Sequence, residues 1–593
     1  VSGLDGNGGS IDPFSVGTTA DEGNRVVDRP FTIAFVLWSH TMPVRNRFAV
    51  PVAAMAVISL ALGACGTDDK ADTGSSTNAD STLPAGVTTQ NLGEEGTPTD
   101  GGKVVVALES DTDSGFNPAS SQWANSGHMI ASAIYDPLVS YDADAKAVPF
   151  LAESVEPNAD FTTWTIAMRP NVKFHNGEVL TADAVKVNLD ALRTSFVTGA
   201  SLRTIDTITV TGDLTLELTM SAPWSTFPYM MTSQAGYIAA PETMTSGEAM
   251  TATAMTNPIG TGPFTFRSWT LGQPFIADKF PEYWQAGKPH LDEIEFRVIT
   301  DAQQRTDALL SGEVDMIHTF VPREIRRLRG TDVKMIEYGR GEKTFVQLNN
   351  ATAPFNELSA REAVAYATDA QRFLDETDRA LLAPPTGPFV TGQLGFEVDS
   401  GFPAYDLQKA KEKVAEYTAT TGEDLSFTYR SQSTPDAQAA SQILQKMWQE
   451  AGMKVELATE SQAAEIISAA LGEFQAVEWR NFGQPDPDAE YVWWTSPSVQ
   501  PVGSVALNFA RFSDPELDAA MDRARTTLDR DARDAEYKQV ARRLSAGVPY
   551  VWLEQNIWAL AANARVNGFK DATNGSLQTL GAKTWVADLW VSR

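Results

Sequence analysis

One cysteine and five histidines among 593 residues leave this chain little with which to build a disulfide or a metal centre. The lone thiol, Cys65, has no partner for an intramolecular bridge and no neighbouring ligands for a metal. Beyond the N-terminal segment only His128, His175, His290 and His318 remain, and no two are close in the sequence. Direct coordination by several histidines is therefore poorly supported, and no cofactor is expected. Positive charge is scarce as well: 46 Lys and Arg stand against 76 Asp and Glu, a formal net charge of −30. Such a chain repels phosphate backbones, so nucleic acid is not a partner. The G-x-S-x-G, H-E-x-x-H and G-x-x-x-x-G-K-[ST] patterns are missing too, which argues against a hydrolase, a zinc peptidase or a P-loop enzyme.

The only cysteine closes an apolar run. From Met42 the sequence reads "MPVRNRFAVPVAAMAVISLALGACG". Arg45 and Arg47 form a positive n-region, Phe48 to Leu62 an uncharged h-region, and Gly63 and Ala64 the small residues before a cut. The segment resembles a bacterial lipoprotein signal with Leu62, Gly63, Ala64 and Cys65 as its lipobox. That resemblance implies cleavage before Cys65, lipid on its thiol, and anchorage at the outer face of the cell membrane. The alternative is a short transmembrane anchor, since the uncharged run is close to the lower limit for a span. Residues 1–41 begin with Val1, are rich in Gly and Asp, and read as an upstream extension from a misassigned start. Residues 42–64 are then the signal peptide, and 65–101 the lipidated cysteine and a disordered tether. Residues 66–100 hold almost no large apolar side chain and cannot offset the entropy of ordering. A flexible coil of about 35 residues has an r.m.s. span of roughly 30–35 Å.

The folded body opens with "GGKVVVAL", a β-branched run that predicts a buried strand. Trp164, Ile166 and Met168 alternate with polar residues, and Asn176-Gly177 marks a hairpin. Val185, Leu189, Leu192 and Phe196 share a helical stripe behind Thr181 as N-cap. Asp301 and Gln304 have capping spacing before a helix that ends at Gly312. Ser513 and Glu516 have the same spacing before a helix whose stripe is Leu517, Met521, Ala524 and Leu528. Strands and helices mix throughout, so the class is α/β.

Four blocks carry a resemblance. They are residues 135–189 ("YDPLVSYDADAK…VNL"), 258–316 ("PIGTGPFTFRSW…GEVDM"), 348–369 ("LNNATAPFNELSAREAVAYATD") and 509–525 ("FARFSDPELDAAMDRAR"). In this order they resemble the family 5 extracellular solute-binding proteins, the peptide- and nickel-binding components of ABC importers. The resemblance implies an α/β fold of the two-lobed periplasmic-binding-protein type (class II), with two hinge crossings and a subdomain inserted in the first lobe. By position, lobe I is 102–138, 260–346 and 549–593, the inserted subdomain 139–259, and lobe II 347–548. It also implies a monomeric binding protein, not an enzyme, that captures a peptide or peptide-like solute and delivers it to permease subunits. Alternatives are a non-peptide cargo such as a nickel chelate, haem or another amphipathic molecule, or an adhesin or structural lipoprotein.

In this family the loop around a tryptophan before a D-P-D-like run faces the cleft; here it is "EWRNFGQPDPDAEYVWW". The matching ligand-binding positions are Trp479, Arg480, Asn481 and Phe482, with Asn117 and Trp123 from the loop "GFNPASSQW" opposite. Trp123, Trp493 and Trp494 can equally be core residues, and Tyr283, Trp284 and His175 read as packing or hairpin residues. Asp486, Asp488 and Glu490 lack the glycine and later glutamate of a calcium loop, so solvated or capping roles are expected. In dipeptide- and oligopeptide-binding members an aspartate three residues after the tryptophan pairs with the ligand's α-ammonium. Here that position is Phe482, and Arg480 favours a carboxylate. Weak selection for free peptide N-termini follows, unless an insertion lets Asp486 take the role.

Overall fold

The strand Lys103–Leu108 has parallel neighbours on both sides, Glu293–Val298 and Met316–Thr319, which explains its unbroken β-branched run. This is seen in a computed structural model, which describes residues 87–593 except 94, 113–114, 122, 143–145, 196–197, 245–256, 340, 482–485, 569–576, 579–582, 585 and 593. The three strands belong to an eight-stranded sheet. Its spatial order is Val87–Gln90, Lys334–Tyr338, Trp558–Ala562, Met316–Thr319, Lys103–Leu108, Glu293–Val298, Phe275–Lys279 and Phe264–Ser268.

A second, five-stranded sheet runs in the order Lys454–Glu460, Ser426–Gln432, Ala476–Asn481, Lys343–Leu348 and Tyr550–Gln555. The first three of these strands are parallel and the last two antiparallel to their neighbours. A third sheet, of four antiparallel strands (Ala152–Pro157, Thr163–Met168, Thr215–Met220, Ile205–Gly212), shares one apolar core with the eight-stranded sheet. The five-stranded sheet has cores of its own.

The chain passes between the two large sheets after Tyr338 and before Lys343, and again at Asn556 and Ile557. Residues 343–346 and 549–555, expected in the first lobe, therefore pair in the second. The two crossings lie side by side: Asn556 N donates to Glu342 O (2.9 Å). Buried Glu342 also accepts from Asn556 Nδ2 at 3.1 Å and from Trp558 Nε1 at 2.9 Å.

Local expectations meet the structure residue by residue. Thr181 and Asp301 cap their helices, Gly312 ends its helix in the left-handed region, and Gly177 closes the hairpin with φ 87°. Val185, Leu189 and Leu192 are buried; Phe196 lies outside the described residues. The cap before the helix Pro515–Ala524 is Asp514, not Ser513: its carboxylate accepts from Glu516 N (2.9 Å) and Leu517 N (3.0 Å). Pro515 takes the first helical position, which fixes the cap one residue before it. Leu528 falls beyond that helix and is exposed.

The end of the expected tether is ordered as well. Val87–Gln90 pairs along Lys334–Tyr338, and Gln90 Nε2 reaches the carbonyls of Leu328, Thr331 and Val333. Backbone pairing and that amide hold a segment in which Thr88, Thr89 and Asn91 are exposed. Residues 1–86, with the signal and Cys65, lie outside the described residues.

Candidate ligand-binding site

The parallel strands of both sheets direct their carboxyl ends toward one cavity of about 720 Å³, within the size range of small-molecule sites. Glu109 follows the strand Lys103–Leu108, Thr300 follows Glu293–Val298, and Phe320 follows Met316–Thr319. From the five-stranded sheet come Gln432, Ser461 and Arg480, and Tyr141, Thr198 and Tyr229 close one side. Three helices start at the wall. Their first turns are capped by Asp301 on Gln304 N (2.8 Å), Thr434 on Ala437 N (3.2 Å) and Ser461 on Ala464 N (3.3 Å). Each cap satisfies one of the helix-end donors that would otherwise point at solvent.

Arg480 bridges the two sheets. Its Nη2 donates to Glu109 Oε1 at 2.8 Å, and its Nε lies 3.9 Å from Glu342 Oε1. Its guanidinium sits over the rings of Phe320 (4.0 Å) and Trp558 (5.1 Å). Burial alone would push the Glu109 carboxyl up, but Arg480 and Arg305 outweigh it and hold Glu109 below the usual range. Arg379 Nη1 donates to Glu554 Oε2 at 3.1 Å, and Arg323 Nη1 to Asp436 Oδ1 at 2.9 Å, a second pair that spans the cleft.

Of the residues picked from sequence, Trp479, Arg480 and Trp123 line the cavity. Trp479 stands edge-to-face on Phe509 at 5.0 Å, and Trp123 donates through Nε1 to Gly115 O at 2.9 Å, so both also pack. Asn117 does not line the cavity. Its Oδ1 accepts from Ala119 N and its Nδ2 donates to Thr243 O, which fixes its loop. Asn481 is turned to Glu490 Oε2 at 2.8 Å, and Phe482 lies outside the described residues. Trp493 lines the cavity, whereas Trp494 is buried against Phe389.

In the acidic run Asp486 and Asp488 are buried and Glu490 is half-buried. Asp486 caps Asp488 N and takes both ends of Arg533, at 2.7 and 2.6 Å. Its charge is thereby engaged by Arg533, while the residue also reaches the cavity wall. Asp488 accepts from Arg525, Trp224 and Thr226. Tyr283 and Trp284 direct their polar hydrogens to buried Asp136, at 3.3 and 2.6 Å. His175 binds the turn Gly260–Gly262 through both ring nitrogens.

Sequence reasoning passed over Glu109, Glu342, Glu465, Glu478 and Arg379, all on the cavity wall. Two carried a signal. Glu465 is a lone charge within "AAEIISAAL", and Glu478 interrupts a strand directly before the tryptophan.

A cavity between two α/β lobes, reached at strand ends and bordered by the crossings that join them, defines a two-lobed binding protein of the periplasmic type. Residues 146–501 match the bacterial extracellular solute-binding proteins, family 5 middle region. The chain belongs to the family 5 bacterial extracellular solute-binding proteins. It is 26% identical over 452 residues to the glutathione-binding protein GsiB of Pectobacterium atrosepticum (74% of this chain, 86% of the relative). It is 26% identical over 458 residues to the probable D,D-dipeptide-binding periplasmic protein DdpA of Escherichia coli (75% and 87%). The solved structure of the oligopeptide-binding protein AppA of Bacillus subtilis, with a nonapeptide, superposes with a TM-score of 0.74. That match is at 20% identity over 84% of this chain and 100% of that one. Among the described residues no helix is long and apolar enough to cross a membrane.

Proposed function

We propose that the protein captures a peptide or peptide-like solute in this cavity and hands it to the permease of an ABC importer, without turnover. The observation that carries the reading is the cavity itself: its wall is built from both lobes, and Arg480 on Glu109 and Arg323 on Asp436 span it. Ligand contacts made by both lobes favour the closed arrangement over an open one, which couples occupancy to shape. Relatives named for glutathione, D,D-dipeptides and oligopeptides support a peptide-like cargo. Arg323, Arg379 and Arg480 of the wall are engaged by carboxylates, an arrangement suited to holding a polar ligand. A lipid on Cys65 would keep the monomer at the outer face of the membrane, beside its permease.

The test is native mass spectrometry of protein purified from its host, followed by titration of the stripped protein with the ligand found. A co-purified peptide that raises the melting temperature saturably and lowers the radius of gyration supports the reading. A ligand released chemically altered, or stabilisation without compaction, overturns the corresponding half.

A further inference from the structure

The cavity wall does not balance its own charge. Around Arg480 the half-buried carboxyl groups of Glu109 and Glu478 and the buried ones of Glu342, Glu465 and Glu554 face three guanidinium groups, those of Arg305, Arg379 and Arg480. Arg480 is engaged by Glu109 and Arg379 by Glu554, at 2.8 and 3.1 Å. Nearby Lys343 is matched by Glu490. Glu342 is met by N–H groups of Asn556 and Trp558, which leaves two carboxyl groups on the second lobe, Glu465 in the helix Gln462–Leu471 and Glu478 in the strand Ala476–Asn481.

Both line the cavity. Glu465 is only 2% exposed, and although Gln432 hydrogen-bonds its carboxyl group, Oε1 has no partner among the described residues. A buried acceptor left unmet costs about 1–3 kcal/mol, more when charged, so a fold retains one where something else completes it. Glu478 and Arg480 are two residues apart in one strand and share a face. The Nη1 of Arg480 is a second buried polar atom without a partner. With Glu109 and Glu342 beside it, that arginine offers an N–H to a carbonyl more than a free positive charge.

We propose that Glu465 and Glu478 form a subsite for a cationic nitrogen of the ligand, an ammonium or a guanidinium group. The inference rests on the peptide reading above and specifies the charge of the cargo. A cation placed there completes the Glu465 oxygen and neutralises the excess. Burial, then the neighbouring Glu478, pushes the Glu465 carboxyl well up, and burial also raises Glu478 against the pull of Arg379 and Arg480. A bound cation reverses that push and draws both groups into their ionised forms. The subsite uses neither Phe482 nor Asp486, and it reverses the expectation that free amines are poorly selected.

Calorimetry on the full chain with four probes tests it: trialanine, N-acetyl-trialanine, N-acetyl-Ala-Lys-Ala and N-acetyl-Ala-Glu-Ala. At least one cationic probe should bind tenfold or more tightly than N-acetyl-trialanine. Trialanine and the lysine probe tell a terminal amine from a side-chain cation. In the Glu465→Gln/Glu478→Gln double variant the ratio of cationic-probe to N-acetyl-trialanine affinity should fall below twofold. The single variants, each nearly isosteric, carry the same test if the double variant does not fold. Equal binding of cationic and neutral probes, or a preference that survives the substitutions, overturns the subsite and leaves the peptide reading standing. Binding by none of the four removes the peptide reading, and the subsite with it.

Discussion

Trp224 Nε1 donates to Asp488 Oδ2 at 2.8 Å, and both residues are buried. Trp224 belongs to the unit of the four-stranded sheet and Asp488 to the second lobe, so this bond crosses between them. Thr226 Oγ1 adds a bond to the same oxygen at 2.7 Å, and Arg525 Nε holds the other at 2.5 Å. Burial would raise the Asp488 carboxyl, but Arg525 outweighs it and holds it below its ordinary value. Asp488→Asn keeps the shape and leaves Arg525 buried without its counter-charge. Loss of one side of a buried pair costs on the order of 3–5 kcal/mol. We expect a lower denaturation midpoint and, in solution scattering, a larger radius of gyration for the ligand-free variant. An unchanged midpoint would show that this contact does not hold the two units together.

Gly260→Ala should be strongly destabilising. An added Cβ would stand 2.0 Å from the carbonyl oxygen of Ile134, a backbone atom that cannot swing aside. Overpacking costs about 1–3 kcal/mol, and a rigid neighbour places this site at the upper end. Thermal melts of the variant check it; a shift of less than about 2 °C would contradict the geometry.

His175 should contribute an acid-sensitive step. Burial pulls its imidazole down to about 4 in the folded protein, against an ordinary value near 6.5. Between these values the unfolded chain binds the proton and the folded chain does not. Stability is therefore present above pH 6.5 and falls as pH drops toward 4. Denaturant titrations of the parent and His175→Gln across that window should show a shallower loss in the variant. Parallel curves would remove the assignment.

Cys65→Ala should abolish anchoring. The parent should partition into the detergent phase after expression in a lipoprotein-processing host, and the variant into the aqueous phase. Retention of the variant in detergent would favour a spanning anchor over a lipid.

What could be read in the sequence was local or carried by long family blocks. Thr181, Asp301 and Gly312 act within a few residues, so spacing alone found them. Ser513 failed as a cap because Pro515 sets the helix start one residue later than pattern matching does. The glycines at 260 and 262 stand in a turn that His175 holds. Their requirement is tertiary, since the backbone of Ile134 occupies the space of a side chain. The loop around Trp479 was found, yet the roles of its charges were not. Arg480 meets Glu109 across 371 positions of sequence, and Asp486 meets Arg533 across 47. No linear pattern records such pairings, and they decide which charges remain for a ligand.

The bond network at Glu342 has a mechanical consequence. Two strands that cross between bodies at separate points fix a line, as two pins fix a door. Glu342 ties them together through Asn556 and Trp558, so neither crossing bends without the other. Rotation about that line remains soft, while swivelling and sliding are stiff. Closure about that line, as proposed above, would bring the walls of the cleft together in the same alignment each time and offer a permease one repeatable face.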